Sequence, residues 1–292
     1  MEQILEGTFI PPPDTDPATV KILKEIARTW SKMGTGEVNI TVSPEDFQYY
    51  WRQIKERISS SYSKLHFGHY KSAAHSDFLS SCHATKFSLI MKTGCTPECW
   101  ARGLNVMLEK IAGVVLVAKL RAILLIEAGF NFHNKLIFGQ QMMDLAQQHR
   151  MVPEEIYSKN GKTSEDAILH QILIYELARQ LRRPLLVASV DASQCYNRIT
   201  HAMASLTLRA YKVRQSSVLA MLHPIQNMEY YMRTGFGESK TFFGGKGANV
   251  QGSCQGNGGA PPTWQQISSL LINTHRQCSH AITIESLISI VY

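Results

Sequence analysis

Leu185-Leu186-Val187-Ala188-Ser189-Val190-Asp191 is the stretch on which the reading of this chain turns. It follows Arg182-Arg183-Pro184, where a preceding helix must stop, because proline has no N–H to donate and crowds the turn before it. Apolar and β-branched residues then run without interruption to a carboxylate. We read 185–190 as a short buried strand that delivers Asp191 at its end. A carboxylate there is costly to desolvate unless something compensates it. Asp191 is therefore expected either to offer its oxygens to a hard cation such as Mg2+ or to cap the turn after the strand.

Working outward, the spacing predicts helices on both sides. Upstream, one fits Glu165–Arg182, capped by Thr163 or Ser164, and another fits Asn131–Gln148. Before them, Val114–Ile126 is apolar and β-branched and reads as one or two strands around Lys119 and Arg121. Pro97–Ile111 fits a helix with Thr96 as its cap. Downstream, helices fit His201–Tyr211 and Ser216–Leu222, and a hairpin fits Glu229–Arg233 with Lys240–Phe243. A glycine-rich loop fills 244–259, and a last helix fits Pro262–His275.

The N-terminal part predicts helices only. Asp16 caps Pro17–Met33, where Pro17 suits the first helical position and Gly34 stops the helix. Ser43 caps Pro44–Ile58, whose stripe Phe47, Tyr50, Trp51, Ile54 and Ile58 is expected to pack in a core. Ser59–Tyr70 reads as a loop entering a further helix. With Pro11, Pro12 and Pro13, residues 1–15 read as a disordered, extended tail. The expected organisation is α+β: the tail at 1–15, an all-helical extension at 16–95 and a mixed region at 96–292.

The chain has 292 residues, 44% hydrophobic and 18% charged, which excludes a disordered or collagen-like protein. Lys and Arg number 30 against 23 Asp and Glu, a net charge of +7 that points towards a polyanionic partner. Between Arg52 and Lys92 seven cations are opposed only by Glu56 and Asp77, with aromatics interleaved, as suits either a nucleic-acid backbone or a solvated helix face. Between Arg182 and Arg214 six cations are opposed only by Asp191. No apolar run spans a bilayer, since Ile111–Phe130 is broken by Lys119, Arg121 and Glu127. Met1-Glu2-Gln3-Ile4 lacks a basic n-region, so an intracellular protein, nuclear or cytoplasmic and not secreted, is expected. Six cysteines in this length suggest free thiols. Cys95 and Cys99 with His83 read as a zinc site or as two thiols flanking a helix start, and His275, Cys278 and His280 as a similarly loose cluster.

Gly252-Ser253-Cys254-Gln255-Gly256-Asn257-Gly258-Gly259-Ala260-Pro261 allows a backbone to approach a ligand closely, but it has neither the Gly-Lys-Ser/Thr ending of a P-loop nor the dinucleotide pattern. In order and spacing, Val190–Ile199 and Gly252–Pro261 resemble motifs A and B of reverse transcriptases of the non-LTR retroelement type. Motif A opens with an aspartate and has an aromatic five residues on, here Asp191 and Tyr196. Motif B carries the pair Gln255-Gly256 with a proline five residues later. Lys119–Leu125 resembles the finger segment, and Asn134-Lys135-Leu136-Ile137 with 147–165 the next block. The resemblance covers roughly 97–292 and implies helix-rich polymerase fingers plus an incomplete palm.

It further implies RNA-directed DNA synthesis from an RNA template, a DNA primer and deoxynucleotide triphosphates, with two Mg2+ ions activating the primer hydroxyl and stabilising pyrophosphate. Asp191 would be a metal ligand and Lys119 or Arg121 would meet the triphosphate. Tyr196 would pack under the sugar and exclude a 2′-hydroxyl, and Gln255 and Gly256 would contact nucleotide and template. Asn197 stands where many relatives carry aspartate. The Asp-Asp pair of motif C is missing, because Asp191 is the last aspartate and only Glu229, Glu238 and Glu285 follow it. The expectation is a truncated, inactive reverse transcriptase; the alternative is a non-catalytic nucleic-acid-binding remnant.

Overall fold

The computed structural model describes residues 1–55, 61–114, 116, 119–159, 161–187, 189, 191–192, 195–234, 236–241, 243–244 and 251–277, and the backbone of 283–284 and 287–288. It is an α+β structure with a small mixed sheet. In chain order the elements are α1 (Glu2–Leu5), α2 (Pro17–Lys32), α3 (Pro44–Gln53), α4 (Phe67–Ala73), α5 (Asp77–Thr93), a 3-10 turn at Glu98–Ala101, β1 (Arg102–Glu109) and β2 (Leu120–Leu125). One long helix follows, in which α6 (Ala128–Asn134) passes through a π-helical segment, Lys135–Gln141, into α7 (Met142–Gln148). Then come α8 (Ser164–Gln180), α9 (Cys195–Arg198), α10 (His201–Ala210), α11 (Gln215–Gln226), β3 (Glu229–Thr234), β4 (Gly237–Glu238), β5 (Phe243–Gly244), α12 (Ala260–Arg276), β6 (Thr283–Ile284) and β7 (Leu287–Ile288).

Local chemistry accounts for several helix starts. The Asp16 carboxylate accepts from the Thr19 N–H at 3.0 Å, with Pro17 in the first turn of α2. Ser43 and Asp46 form a reciprocal capping box on α3, and Thr163 and Asp166 form another on α8, so Thr163 rather than Ser164 is the cap. Gly94, with φ of 75°, closes α5 in the left-handed region. α3 ends at Gln53, and Ile58 lies outside the described residues. α11 runs beyond the expected Leu222 to Gln226, carrying Pro224 inside it.

Three expectations need correction. Pro97–Ile111 is not a helix, because after the 3-10 turn the chain enters β1. There Gly103, Leu104 and Asn105 are buried, and β1 pairs antiparallel with β2 and parallel with β3. Gly103 permits that crowding, since a Cβ there would lie 2.6 Å from both Leu124 Cδ1 and Met228 Sδ. Residues 185–187, 189, 191 and 192 form no strand; Leu186 is 95% exposed and Asp191 is exposed too. Among the described residues no neighbouring strand takes up their backbone groups, and an apolar run without a pairing partner has no ladder to join. Ala188 and Val190 of that run lie outside the described residues. Residues 1–15, expected as an extended tail, carry α1, whose Leu5 is buried with Ile26, Ala210 and Leu270.

The sheet order is β2-β1-β3-β4, with β5 also paired to β3, so β2 has one free edge. The main core is aromatic: Trp51 stacks on Tyr70 at 4.4 Å, and Phe47, Phe87 and Phe132 meet edge-on or stacked. α2 packs on α10 and α12, which ties the N-terminal helices to the last one. The Arg276 guanidinium at the end of α12 forks onto the buried Glu155 carboxylate, and Gln277 donates to the buried Glu25 carboxylate at 2.7 Å.

Candidate nucleotide-site loop

The centre of the candidate site is the turn 252–259, which the chain holds in an unusual backbone conformation. Gly252, Cys254 and Gly256 have φ of 93°, 63° and 118°, a region that side chains make costly. The close approaches explain two of them. A Cβ at 256 would sit 2.2 Å from the Leu124 carbonyl oxygen, and one at 252 would sit 2.7 Å from Asn197 Cα. The loop therefore lies against the free edge of β2 on one side and against α9 on the other.

Hydrogen bonds fix both contacts. The Leu124 N–H donates to the Gln255 carbonyl at 3.0 Å, and the Ser253 N–H donates to the Tyr196 carbonyl at 2.8 Å. The Gly252 carbonyl lies 2.9 Å from His201 Nε2, in the first turn of α10. From behind, α6 grips the loop: the Gly258 N–H donates to Asn131 Oδ1 at 2.7 Å, and Asn134 Nδ2 donates to Asn257 Oδ1 at 2.8 Å. The same Asn257 oxygen accepts the Gly259 N–H, while Asn257 Nδ2 donates to the Ser253 carbonyl. Gly258 has no room for a side chain, because a Cβ would lie 2.2 Å from Lys135 Cγ at the start of the π-helical segment. Such segments recur at functional sites, where they re-aim side chains within a helix.

The exposed parts of the loop are Gln255 and Gly256; Ser253, Cys254 and Asn257 are buried. Burial pushes the Cys254 thiol up to about 11 and raises the phenol of Tyr230, which lies 3.6 Å from Cys254 Sγ. Tyr196 is half-buried, and desolvation raises its phenol as well. The loop is thus held by a preorganised frame that presents backbone and an amide to solvent.

Of the expected site residues, the structure places Tyr196, Gln255 and Gly256 around one loop. Lys119 is exposed just before β2, and Arg121 is exposed on the strand whose edge receives Gln255. Asp191 is exposed. Among the described residues no three His, Cys, Asp or Glu side chains converge on a point that could hold a metal ion. His83 stacks on Phe47 at 4.9 Å, which is a packing role, and Cys278 and His280 lie outside the described residues.

Several cations of the basic stretches have internal work. Arg52 Nε donates to the Ala74 carbonyl at 3.1 Å and Lys71 to the Ile54 carbonyl at 3.3 Å, while Lys86 lies 4.7 Å from the Phe87 ring centre. Arg209 pairs with Glu2, and Arg214 with Glu37. The grip of Asn131 on the loop is a contact that the sequence reading missed. Its one available signal is a pair of asparagines, Asn131 and Asn134, three apart on one helix face.

No helix among the described residues is long and apolar enough to cross a membrane. Comparison of the chain with protein-family models and with curated proteins finds no match.

Proposed function

We propose that this chain is a reverse-transcriptase-like domain of the non-LTR retroelement type, an RNA-directed DNA polymerase by descent that is inactive as it stands. One observation supports the reading above the others. The three sequence blocks that carry the resemblance are far apart in the chain, yet they touch. The 252–259 loop bonds to β2 through Gln255 and to Tyr196 through Ser253. In this reading Lys119 or Arg121 meets a triphosphate, Tyr196 lies under the sugar, and Gln255 with Gly256 contacts nucleotide and template. In this reading Asp191 would be the one Mg2+ ligand these residues supply, through its carboxylate oxygens. Template binding without synthesis is the expected behaviour.

A recessed RNA–DNA primer–template, labelled for anisotropy, tests this. Binding should fall steeply with salt as counterions are released, and a Lys119→Glu/Arg121→Glu double variant should weaken it about tenfold or more. A Gln255→Ala variant should weaken deoxynucleotide triphosphate binding and leave the fold intact. Primer extension should be absent in Mg2+ and in Mn2+. Binding indifferent to all three positions in a folded protein would remove the polymerase reading. Extension that disappears in Asp191→Ala would overturn the expectation of inactivity.

A further inference from the structure

α8 is apolar on two sides, and only one of them is covered. Ala167 and Ile174 face the protein and are buried. Ile168, Leu169, Ile172 and Leu173 are between 55% and 57% exposed, and at ~100° per residue they occupy an arc of about 140°. Four large aliphatics on one solvent face of a helix are far from the usual scatter of single exposed apolar residues. Beyond the helix, Leu181, Leu186 and Val187 are exposed as well.

The charges on that face point to what covers it. Glu165, Glu176 and Arg179 lie on the same arc, and Glu165 and Arg179 are each seven residues from Ile172, which is two turns in opposite directions. If a second α8 crosses antiparallel with the two-fold axis at Ile172, Glu165 of each copy comes opposite Arg179 of the other. Asp166 in the first turn and Arg182 and Arg183 beyond the last extend this polarity, acidic at one end and basic at the other. A parallel pair would set like ends together. We infer that α8 is a self-association surface, and that two copies of this chain pair through it as an antiparallel, two-fold-symmetric helix pair. Arg179 already holds Glu176 of its own helix at 2.5 Å, which keeps its guanidinium over this face. The inference is independent of the polymerase reading.

Sedimentation of the full chain over a concentration series tests it, with circular dichroism and melting to show that each variant is folded. The wild-type chain should dimerise. Ile172→Glu puts two like charges at the axis and should weaken dimerisation by about a hundredfold, with helix content unchanged because the side chain is exposed. Glu165→Arg and Arg179→Glu should each weaken it about tenfold, and the double variant should return to within about threefold of wild type, because the reversal restores both ion pairs. A chain that is monomeric at every concentration, whether the face stays bare or the chain's own residues cover it, overturns the inference. So does a dimer or larger species indifferent to Ile172→Glu, and so does a double variant weaker than either single one.

Discussion

At the residue scale the sharpest constraint is Gly256. Its φ of 118° and the 2.2 Å separation between an added Cβ and the Leu124 carbonyl leave no tolerated side chain. Gly256→Ala must either move the loop off β2 or strain both, at a cost of about 2–3 kcal/mol. Chemical denaturation should report that loss, and the Leu124 amide should exchange faster because its acceptor, Gln255, is displaced. His133 makes a different kind of prediction. It is fully buried in α6 beside Asn134, and burial holds its imidazole down at about 4 against an ordinary 6.5. The unfolded chain takes up this proton below pH 6.5 and the folded chain does not until about pH 4. Stability from this group is complete above pH 6.5 and drains away as pH falls towards 4. Between pH 6.5 and 5 the loss should be on the order of 2 kcal/mol. A His133→Leu variant measured over the same window should show a shallower decline.

At the scale of elements, the loop and the long helix act as one unit joined by two asparagine side chains. Asn134→Ala and Asn257→Ala should each destabilise the protein, and a double-mutant cycle should give a coupling of about 1 kcal/mol, since either change leaves the other amide buried with a lost partner. The same scale shows what was legible in the sequence. Helices opened by Asp16, Ser43 and Thr163 are found where expected, because a cap and an apolar stripe act over a few residues of one segment. β1 was missed because 102–109, with its glycine and no clear alternation, looks weak until β2 and β3 lie beside it. The run 185–190 read as a strand on composition alone, yet a strand is a pairing and composition does not supply the neighbour. The loop at 252–259 was visible as a glycine cluster. Its grip by Asn131 was not, because that contact joins residues 127 positions apart.

At the scale of the molecule, the last helix is anchored by two buried carboxylates it does not itself carry. Arg276 reaches Glu155, and Gln277 reaches Glu25 on α2. Arg276→Met would leave the Glu155 carboxylate buried without its counter-charge, which should cost about 3 kcal/mol. A Glu155→Gln/Arg276→Met double variant should recover much of that loss, so thermal melts of the two together separate an orphaned charge from lost packing. The N-terminal segment contributes at this scale as well, since Leu5 of α1 closes a small core with α2, α10 and α12.

The docking of the 252–259 loop also has a consequence in time. During synthesis the ribosome releases the long helix, β2 and α9 well before the loop that joins them, because Asn134 and Asn257 are 123 residues apart. Contacts of such separation carry a large entropy of closure and come late in folding. The hairpin of β1 and β2 can zip locally, while the left-handed turn at 254–256 has to wait for a finished surface to press against. A nascent chain stalled before Gly252 would then hold an unpaired β2 edge open to other strands, a vulnerable interval that ends only when the loop docks.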